Sequence, residues 1–416
     1  MKVVHIAFSY GLANVGGATI AASRIHGALR RHGVDSYYLC TYNFGPKDDS
    51  VIEVPSKRSL RRSIFLLGCR ILRFATMLLS PHRMVAPHLI GSGMLKEIGR
   101  INPDVVHVHR ICPDAISFRE LRKLKCPVVI SLHDFWMINA VNPYPQTRDE
   151  VMFTGNSDGL GFVAKWLFTR KAKFIQSTNP SFVAPSEWAR KVCAESLMGQ
   201  NRYVTYIPYV QDPSVRLYPS KRVASSGRVR LLYGSYAGRR PSIKGYCYLE
   251  QAIREMSAEE QNLFEIFVFG EIGNDEKIGE TPVHFLGIVC CPNEMINVYH
   301  CADIFVFPSL QETQGQVKIE AMLCGLPVVA YRRTACAEGI EPMKTGLIVE
   351  RDSAGELKQA LLKLAKLLRE GRVNHSEIHQ ITARSFDEDV IIGSYISNYE
   401  GVIRRGGTEN AKILAQ

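Results

Sequence analysis

Phe307-Pro308-Ser309-Leu310-Gln311-Glu312-Thr313-Gln314-Gly315-Gln316-Val317-Lys318-Ile319-Glu320-Ala321-Met322 is the stretch on which the fold turns. The run Asp303–Phe307 before it reads as a buried strand that ends at Pro308-Ser309. A polar loop follows, and a helix begins near Gly315. First-turn amides of a helix lack intrahelical acceptors and carry the positive end of its dipole, so that end suits a diphosphate. Glu312 lies in the loop, and Glu320 about one and a half turns into the helix, where side chains tilt back toward the N-terminus. Two carboxylates beside a diphosphate repel it unless they accept hydrogen bonds, and sugar hydroxyls are the obvious donors. The plainer reading is a surface acid and a capping loop. For Glu320, flanked by Ile319 and Ala321-Met322-Leu323, so apolar a setting demands a partner.

Outward from this stretch, short β-branched runs alternate with helix-length amphipathic segments, the pattern of α/β parallel sheets. Strands are expected at 3–8, 36–41, 104–108, 127–132, 181–184 and 204–207, with a helix near 18–32. The pattern then restarts, with strands at 228–233, 264–269, 283–286, 303–307, 326–330 and 346–349 and helices at 245–257 and 291–300. Between the halves, Asp212–Ser226 holds Pro213, Pro219 and several serines and reads as a linker. Two consecutive α/β halves make the cleft between domains the expected ligand site. At 416 residues, 46% hydrophobic and 22% charged, the chain has ample core and is not disordered. Eleven cysteines, an odd number without a C-x-x-C pair, exclude a disulfide scaffold or zinc ribbon and read as reduced, which implies a cytosolic chain. The start Met1–Phe8 reads as a first strand and not as a signal peptide.

The two glutamates separated by seven residues, followed by Ala321-Met322 and Cys324-Gly325-Leu326-Pro327-Val328-Val329, resemble the signature of retaining family 4 (group 1) glycosyltransferases of GT-B fold. Pro103–His109, Pro127–Asp134, Val183–Ser186, Phe285–Gly287, Ala302–Ser309 and Lys344–Val349 extend the resemblance along nearly the whole chain. It is most similar to the bacterial exopolysaccharide and lipopolysaccharide branch. The resemblance implies two Rossmann-like, doubly wound parallel-sheet domains facing across a cleft. Residues 1–212, completed by a C-terminal helix over 390–416, would bind the acceptor, and 213–389 the nucleotide-sugar. Closure would exclude water. Glu320 matches the residue on the ribose hydroxyls, and Glu312 the one facing the donor sugar, with the Gly315 and Gln316 amides around sugar and phosphate. Lys244 matches the lysine on the diphosphate. Arg239 or Arg240 would be its arginine partner; Arg239 is taken here, because Arg240 directly precedes Pro241 and reads as solvated. Gly16 and Gly17 match a loop passing close to the phosphates, where a Cβ would collide. His133 matches the histidine near the reacting carbon, and Asp134 would orient it or the acceptor. His107 reads as a satisfied core residue, and His109 stays open. The chain departs from the pattern at Pro208-Tyr209, where an asparagine is usual, and at Gly234-Ser235-Tyr236, where a glycine-arginine pair is usual.

Charge adds a second surface. Lysine and arginine total 51 against 40 acids, a net +11. No acid occurs over 54–96 or 159–186; the first window holds seven basic residues before Met84, the second four. Residues 56–84 mix short apolar runs with Arg61, Arg62, Arg70 and Arg73, and Arg70 and Arg73 interrupt the middle of any transmembrane reading at roughly 3 kcal/mol each. An interfacial helix on an anionic membrane accommodates them, and Lys165, Trp166, Arg170 and Lys171 give the second window the same character. The alternative is a basic helix packed on the sheet. Nothing points to nucleic acid. Asp387-Glu388-Asp389 reads as D-x-D, but preceding Val390-Ile391-Ile392 it caps a helix. The family resemblance implies no metal or other cofactor, Lys244, an arginine and helix amides taking the cation's role. The expectation is therefore a cytoplasmic glycosyltransferase, peripheral on the inner membrane face, moving sugar from a nucleotide-sugar to a glycan or lipid-linked acceptor. A nucleotide-sugar epimerase and a non-catalytic membrane scaffold are the rivals.

Overall fold

The computed structural model describes the chain except for residues 12–14, 57–58, 80–85, 141, 145–161, 216–226, 236–237, 240–241, 290, 351 and 415–416. Most of the expected linker lies outside the described residues, as do Lys57, Arg58, Arg83, Arg240 and Cys290. The chain divides into two compact units: Met1–Leu12, Ala18–Val210 and Glu388–Gln416 form the first, Ala13–Gly17 and Gln211–Asp387 the second.

In the first unit, apolar runs become strands, those at the centre of the sheet buried on both faces. They are β1 (Lys2–Tyr10), β2 (Asp35–Asn43), β3 (Val51–Glu53), β4 (Val105–Val108), β5 (Val128–Ser131), β6 (Ser181–Ala184) and β7 (Val204–Tyr206). Their order is β3-β2-β1-β4-β5-β6-β7, every pair parallel. All four residues of β4, β5 and β6 are buried. The register sets His5 of β1 against His107 of β4. The long helix Glu388–Leu414 belongs to this unit. Arg31 holds Glu388 at its start (2.9 Å) and His32 holds Asp389 (3.0 Å), so the D-x-D triplet anchors a helix. Further along, Tyr399 reaches His107 (2.7 Å), Asn398 reaches Thr205 (3.0 Å) and Arg405 reaches Ser181 (3.2 Å).

The second unit repeats the plan. Its strands are β8 (Val229–Gly234), β9 (Phe264–Phe269), β10 (Glu276–Ile278), β11 (Thr281–Gly287), β12 (Ile304–Phe307), β13 (Val328–Tyr331) and β14 (Gly346–Val349). The order is β10-β11-β9-β8-β12-β13-β14, with β10 antiparallel at the edge. Strands β3 and β10, three residues each, escaped the sequence pattern because neither carries an apolar run.

Packing corrects the reading of the basic windows. The helix Phe162–Thr178 buries Ala164, Leu167, Phe168, Lys171, Phe174 and Ile175, one face at helical spacing. Lys171 is therefore a core residue and not a membrane contact: its ammonium donates to the carbonyls of Trp136 (2.5 Å), Asn139 (2.9 Å) and Ala140 (2.9 Å) and lies 3.6 Å from the Trp136 ring centre. Trp166 packs half-buried against the same core, with Arg170 over its ring, while Lys165 is exposed. In the helix Leu60–Leu79, Arg61 and Arg70 are exposed. Arg62 is buried, giving its guanidinium to Pro55 O (3.1 Å) and the Tyr42 ring, so it too leaves the expected surface set. Arg73 turns inward, its Nε 3.7 Å from Asp114 Oδ2.

Burial pushes the Asp114 carboxyl up to about 7, against the opposing pull of the His88 amide and Arg73. The folded state thus holds a proton that the unfolded chain has lost between pH 4 and 7, and stability falls as pH rises through that window. Asp114→Asn keeps the acceptor for His88 and removes the charge. It should stabilise the fold by roughly 2–4 kcal/mol above pH 7, with the gain vanishing near pH 4, as read by denaturant melts across pH.

Candidate functional site

In the second unit the chemistry starts where β12 stops. Leu310 N donates to Ile243 O (2.8 Å), tying the loop after β12 to the single 3-10 turn Ser242–Lys244. Gly245 closes that turn at φ 72, and a Cβ there would lie 1.9 Å from Pro308 O. The result brings Lys244 Nζ to 2.5 Å from Glu312 Oε1. Ser309 Oγ donates to the same oxygen (3.2 Å), and Glu312 N donates to Thr334 Oγ1 (3.0 Å). Gly315, at φ 82, starts the helix Gln316–Leu323, and a Cβ would sit 2.7 Å from the Phe307 ring. Only glycine fits both the backbone and the space. Glu320 is buried in this helix and takes its partner from Tyr299, whose hydroxyl donates to Oε2 (3.0 Å). Gln316 Nε2 donates to Gly17 O (2.8 Å), the described part of segment 13–17 grouping with this unit. A Cβ at Gly16 meets nothing within 4 Å, and one at Gly17 lies 3.2 Å from Gln316 Nε2, so protein packing alone does not require glycine at either.

Arg239 is engaged elsewhere. Its guanidinium meets Glu271 (3.3 Å) and Glu276 (2.6 Å) and lies over the Tyr246 and Phe285 rings. Its charge is matched before any diphosphate arrives.

In the first unit His133 and Asp134 follow β5, both buried. Asp134 accepts from Trp136 N (2.9 Å) and lies 3.7 Å from Arg110 Nε, its carboxyl raised by burial against that pull. His133 Nδ1 meets Tyr209 OH (3.0 Å), and its Nε2 meets His109 Nδ1 (2.9 Å). His109 Nε2 in turn meets His5 Nδ1 (2.8 Å). Burial pulls His133 down to about 3 and holds His5, His107 and His109 well below the usual imidazole range, so these rings are neutral. Each neutral ring has one N–H and one lone pair, so all bonds in the chain Tyr209, His133, His109, His5 run in one sense. His5 Nε2 ends it without a partner among the described residues. An unpaired lone pair is the commoner kind of buried orphan, which favours His133 as the Nδ1–H form donating to Tyr209. Among the described residues, His5, His107 and His109 are the one group whose ligand atoms come within metal-binding reach, all within 4.8 Å. His107 is spent on Tyr399 (2.7 Å) and Ser131 (2.8 Å), and no carboxylate joins the group to balance a buried cation, so it fits a hydrogen-bonded layer and not a metal centre.

Residues 15–209 match the model of Glycosyltransferase Family 4, and residues 232–366 that of Glycosyl transferases group 1. The chain belongs to the group 1/family 4 glycosyltransferases. Among curated relatives, it is 32% identical over 142 residues to the D-inositol 3-phosphate glycosyltransferase of Corynebacterium jeikeium, covering 31% of this chain and 34% of that one. It is 28% identical over 139 residues to the capsular polysaccharide biosynthesis glycosyltransferase CapM of Staphylococcus aureus, covering 32% of this chain and 36% of CapM. These matches therefore span about a third of either relative's length. The crystal structure of HepE from Anabaena with UDP superposes with a TM-score of 0.61 at 14% identity, covering 96% of this chain and all of HepE, and shows a shared GT-B fold.

The chain carries one device that its sequence pattern did not disclose in either unit. Lys318, fully buried, donates to Ala335 O (3.1 Å), Cys336 O (3.1 Å) and Glu338 O (2.5 Å). Burial pulls its ammonium down to about 8. The loop after β13 that it holds supplies Thr334 to Glu312, so Lys318 supports the site from behind. Lys171 does the same for the loop after β5. A signal existed: each lysine stands at a position where the helical period demands an apolar residue. Tyr299 carried none, since its partner Glu320 is distant in sequence, and Tyr209 stood out only as a departure from the family pattern.

Two substitutions test this architecture. Gly315→Ala should cost about 1–3 kcal/mol through strain at positive φ and the Phe307 contact. Lys318→Met, leaving three carbonyls without their donor, should cost about 2–4 kcal/mol. Melting by circular dichroism reads both.

Proposed function

We propose that this glycosyltransferase moves a sugar from a nucleotide-sugar donor to a hydroxyl of a glycan or lipid-linked acceptor, with retention and without metal, at the inner face of the cytoplasmic membrane. The observation that carries the reading is the second unit's cluster of Lys244 on Glu312 and buried Glu320, beside a helix N-terminus opened by Gly315. A cation and a helix end address a diphosphate, while two carboxylates address hydroxyls. UDP in the HepE complex and the capsular polysaccharide role in CapM's name support this donor and acceptor class.

Glu320 accepts the ribose hydroxyls, and Glu312 faces the sugar. Lys244 and the first-turn amides at Gln316 stabilise the negative charge on the departing diphosphate, the role a metal would otherwise fill. Arg239 is held by two carboxylates, Glu271 and Glu276, against one, Glu312, on Lys244, so Lys244 is the side-chain cation assigned to that task. The acceptor oxygen bonds to the anomeric carbon on the face from which the phosphate leaves, and the acceptor's proton passes to the leaving phosphate oxygen. No protein base is then required. His133, held in one tautomer by Tyr209 and His109, is the first unit's residue that the family resemblance assigns to the donor sugar. Asp134, tied to Trp136 N, holds that turn.

Incubation with a panel of nucleotide-sugars separates this reading from an epimerase or an idle scaffold: slow hydrolysis supports transfer, whereas epimerised donor or no binding overturns it. A bound donor at a hundred times its dissociation constant should raise stability by about 2.7 kcal/mol. Glu320→Ala should weaken donor binding by about tenfold or more, by calorimetry on protein checked for folding. Chelators should leave turnover unchanged; a loss restored by manganese would overturn metal independence.

A further inference from the structure

The helix Leu60–Leu79 leaves one face uncovered. Leu60, Ile64, Leu67, Ile71, Phe74 and Leu78 are between 58% and 76% exposed. They recur at steps of four and three, so they form one continuous stripe down a helix about 30 Å long. The opposite face is fixed: Phe65 and Cys69 are buried, Arg62 is bound to Pro55 O and Arg73 faces Asp114. The stripe is thus a permanent feature of the folded unit and not a helix awaiting its own core. In the other basic helix, Phe162 is exposed but the remaining apolar residues are buried or half-buried.

We infer that this stripe docks on an anionic bilayer, and that the helix Phe162–Thr178 does not take part; this rests on the reading of the acceptor as membrane-associated. The spacing alone would also suit a second copy packing as a coiled coil. Charge decides between them. Arg61 and Arg70 flank the stripe at the surface, and no acidic residue occurs from 54 to 96. A second copy would bring arginine to arginine with no acid to pair. Lipid phosphates supply the missing anions while the apolar face enters the acyl boundary. No helix among the described residues is long and apolar enough to cross a membrane, so the contact is in the plane.

The test is co-sedimentation of the full chain with vesicles of equal parts phosphatidylglycerol and phosphatidylcholine, and of phosphatidylcholine alone. The protein should bind the first, in a salt-sensitive manner, and little of the second. Ile64→Ser with Ile71→Ser should lower binding about tenfold or more, with melting and donor affinity unchanged. Arg61→Gln with Arg70→Gln should weaken binding and flatten its salt dependence, and Lys165→Gln should leave it unaltered. Wild-type binding by the serine pair overturns the inference. So does light scattering that finds a dimer which the serine pair dissolves, since the stripe would then belong to a second copy. A chain that binds nucleotide-sugar and ignores vesicles overturns this inference alone; one that binds vesicles and no nucleotide-sugar overturns the enzymatic reading instead.

Discussion

A parallel strand covered on both faces has no side on which to keep a polar group wet, and that constraint places the rest of this molecule. Strand β12 buries all four of its residues, so the first side chains able to do chemistry appear at Ser309 and Glu312, once the strand has ended. Strand β5 likewise yields to His133 and Asp134. The exception is the histidine layer on β1 and β4. It persists because burial removes its charge and each ring finds hydrogen-bonding partners, leaving one nitrogen at His5 as the residual cost.

The same expulsion of polar groups to strand ends creates a second problem: loops there carry carbonyls that the compact unit buries. Both units answer with a buried lysine. The central order β1-β4-β5 in one sheet corresponds to β8-β12-β13 in the other, so the clamped loops after β5 and β13 are topological equivalents. Yet Lys171 comes from the helix before β6, and Lys318 from the helix before β13. Different helices therefore meet the same need. In each case one ammonium replaces several water molecules, and its charge is spread over backbone dipoles without a carboxylate in hydrogen-bond contact.

What the sequence disclosed follows from the range of the interactions involved. The strand-loop-helix unit at 303–322 was legible because its signals are local: an apolar run, a glycine and a helical period. The Lys244–Glu312 contact joins residues 68 apart, and the Leu310–Ile243 bond and the Gly245 turn help to create it. The chain from His133 to His5 needed the β1–β4 register, which no single-strand pattern contains. Arg239 was placed by spacing, but Glu271 and Glu276 claim it from two other elements.

Net charge shows the same limit. The basic residues of the acid-free windows equal the +11 in number, which invites counting them all as surface. Their positions on the helices divide them. Lys171 falls on the buried arc with Leu167 and Phe174 and is spent on carbonyls; Arg62 lies a turn before buried Phe65 and Cys69 and goes to Pro55; Arg73 is drawn toward Asp114. Arg61 and Arg70 remain exposed, one on either side of the apolar stripe. A charge count describes solubility and long-range attraction, whereas a docking face is specified by helical phase. The six apolar residues share one phase and the two exposed arginines lie on either side of it, and that arrangement, more than the size of the charge, marks the face as a contact surface.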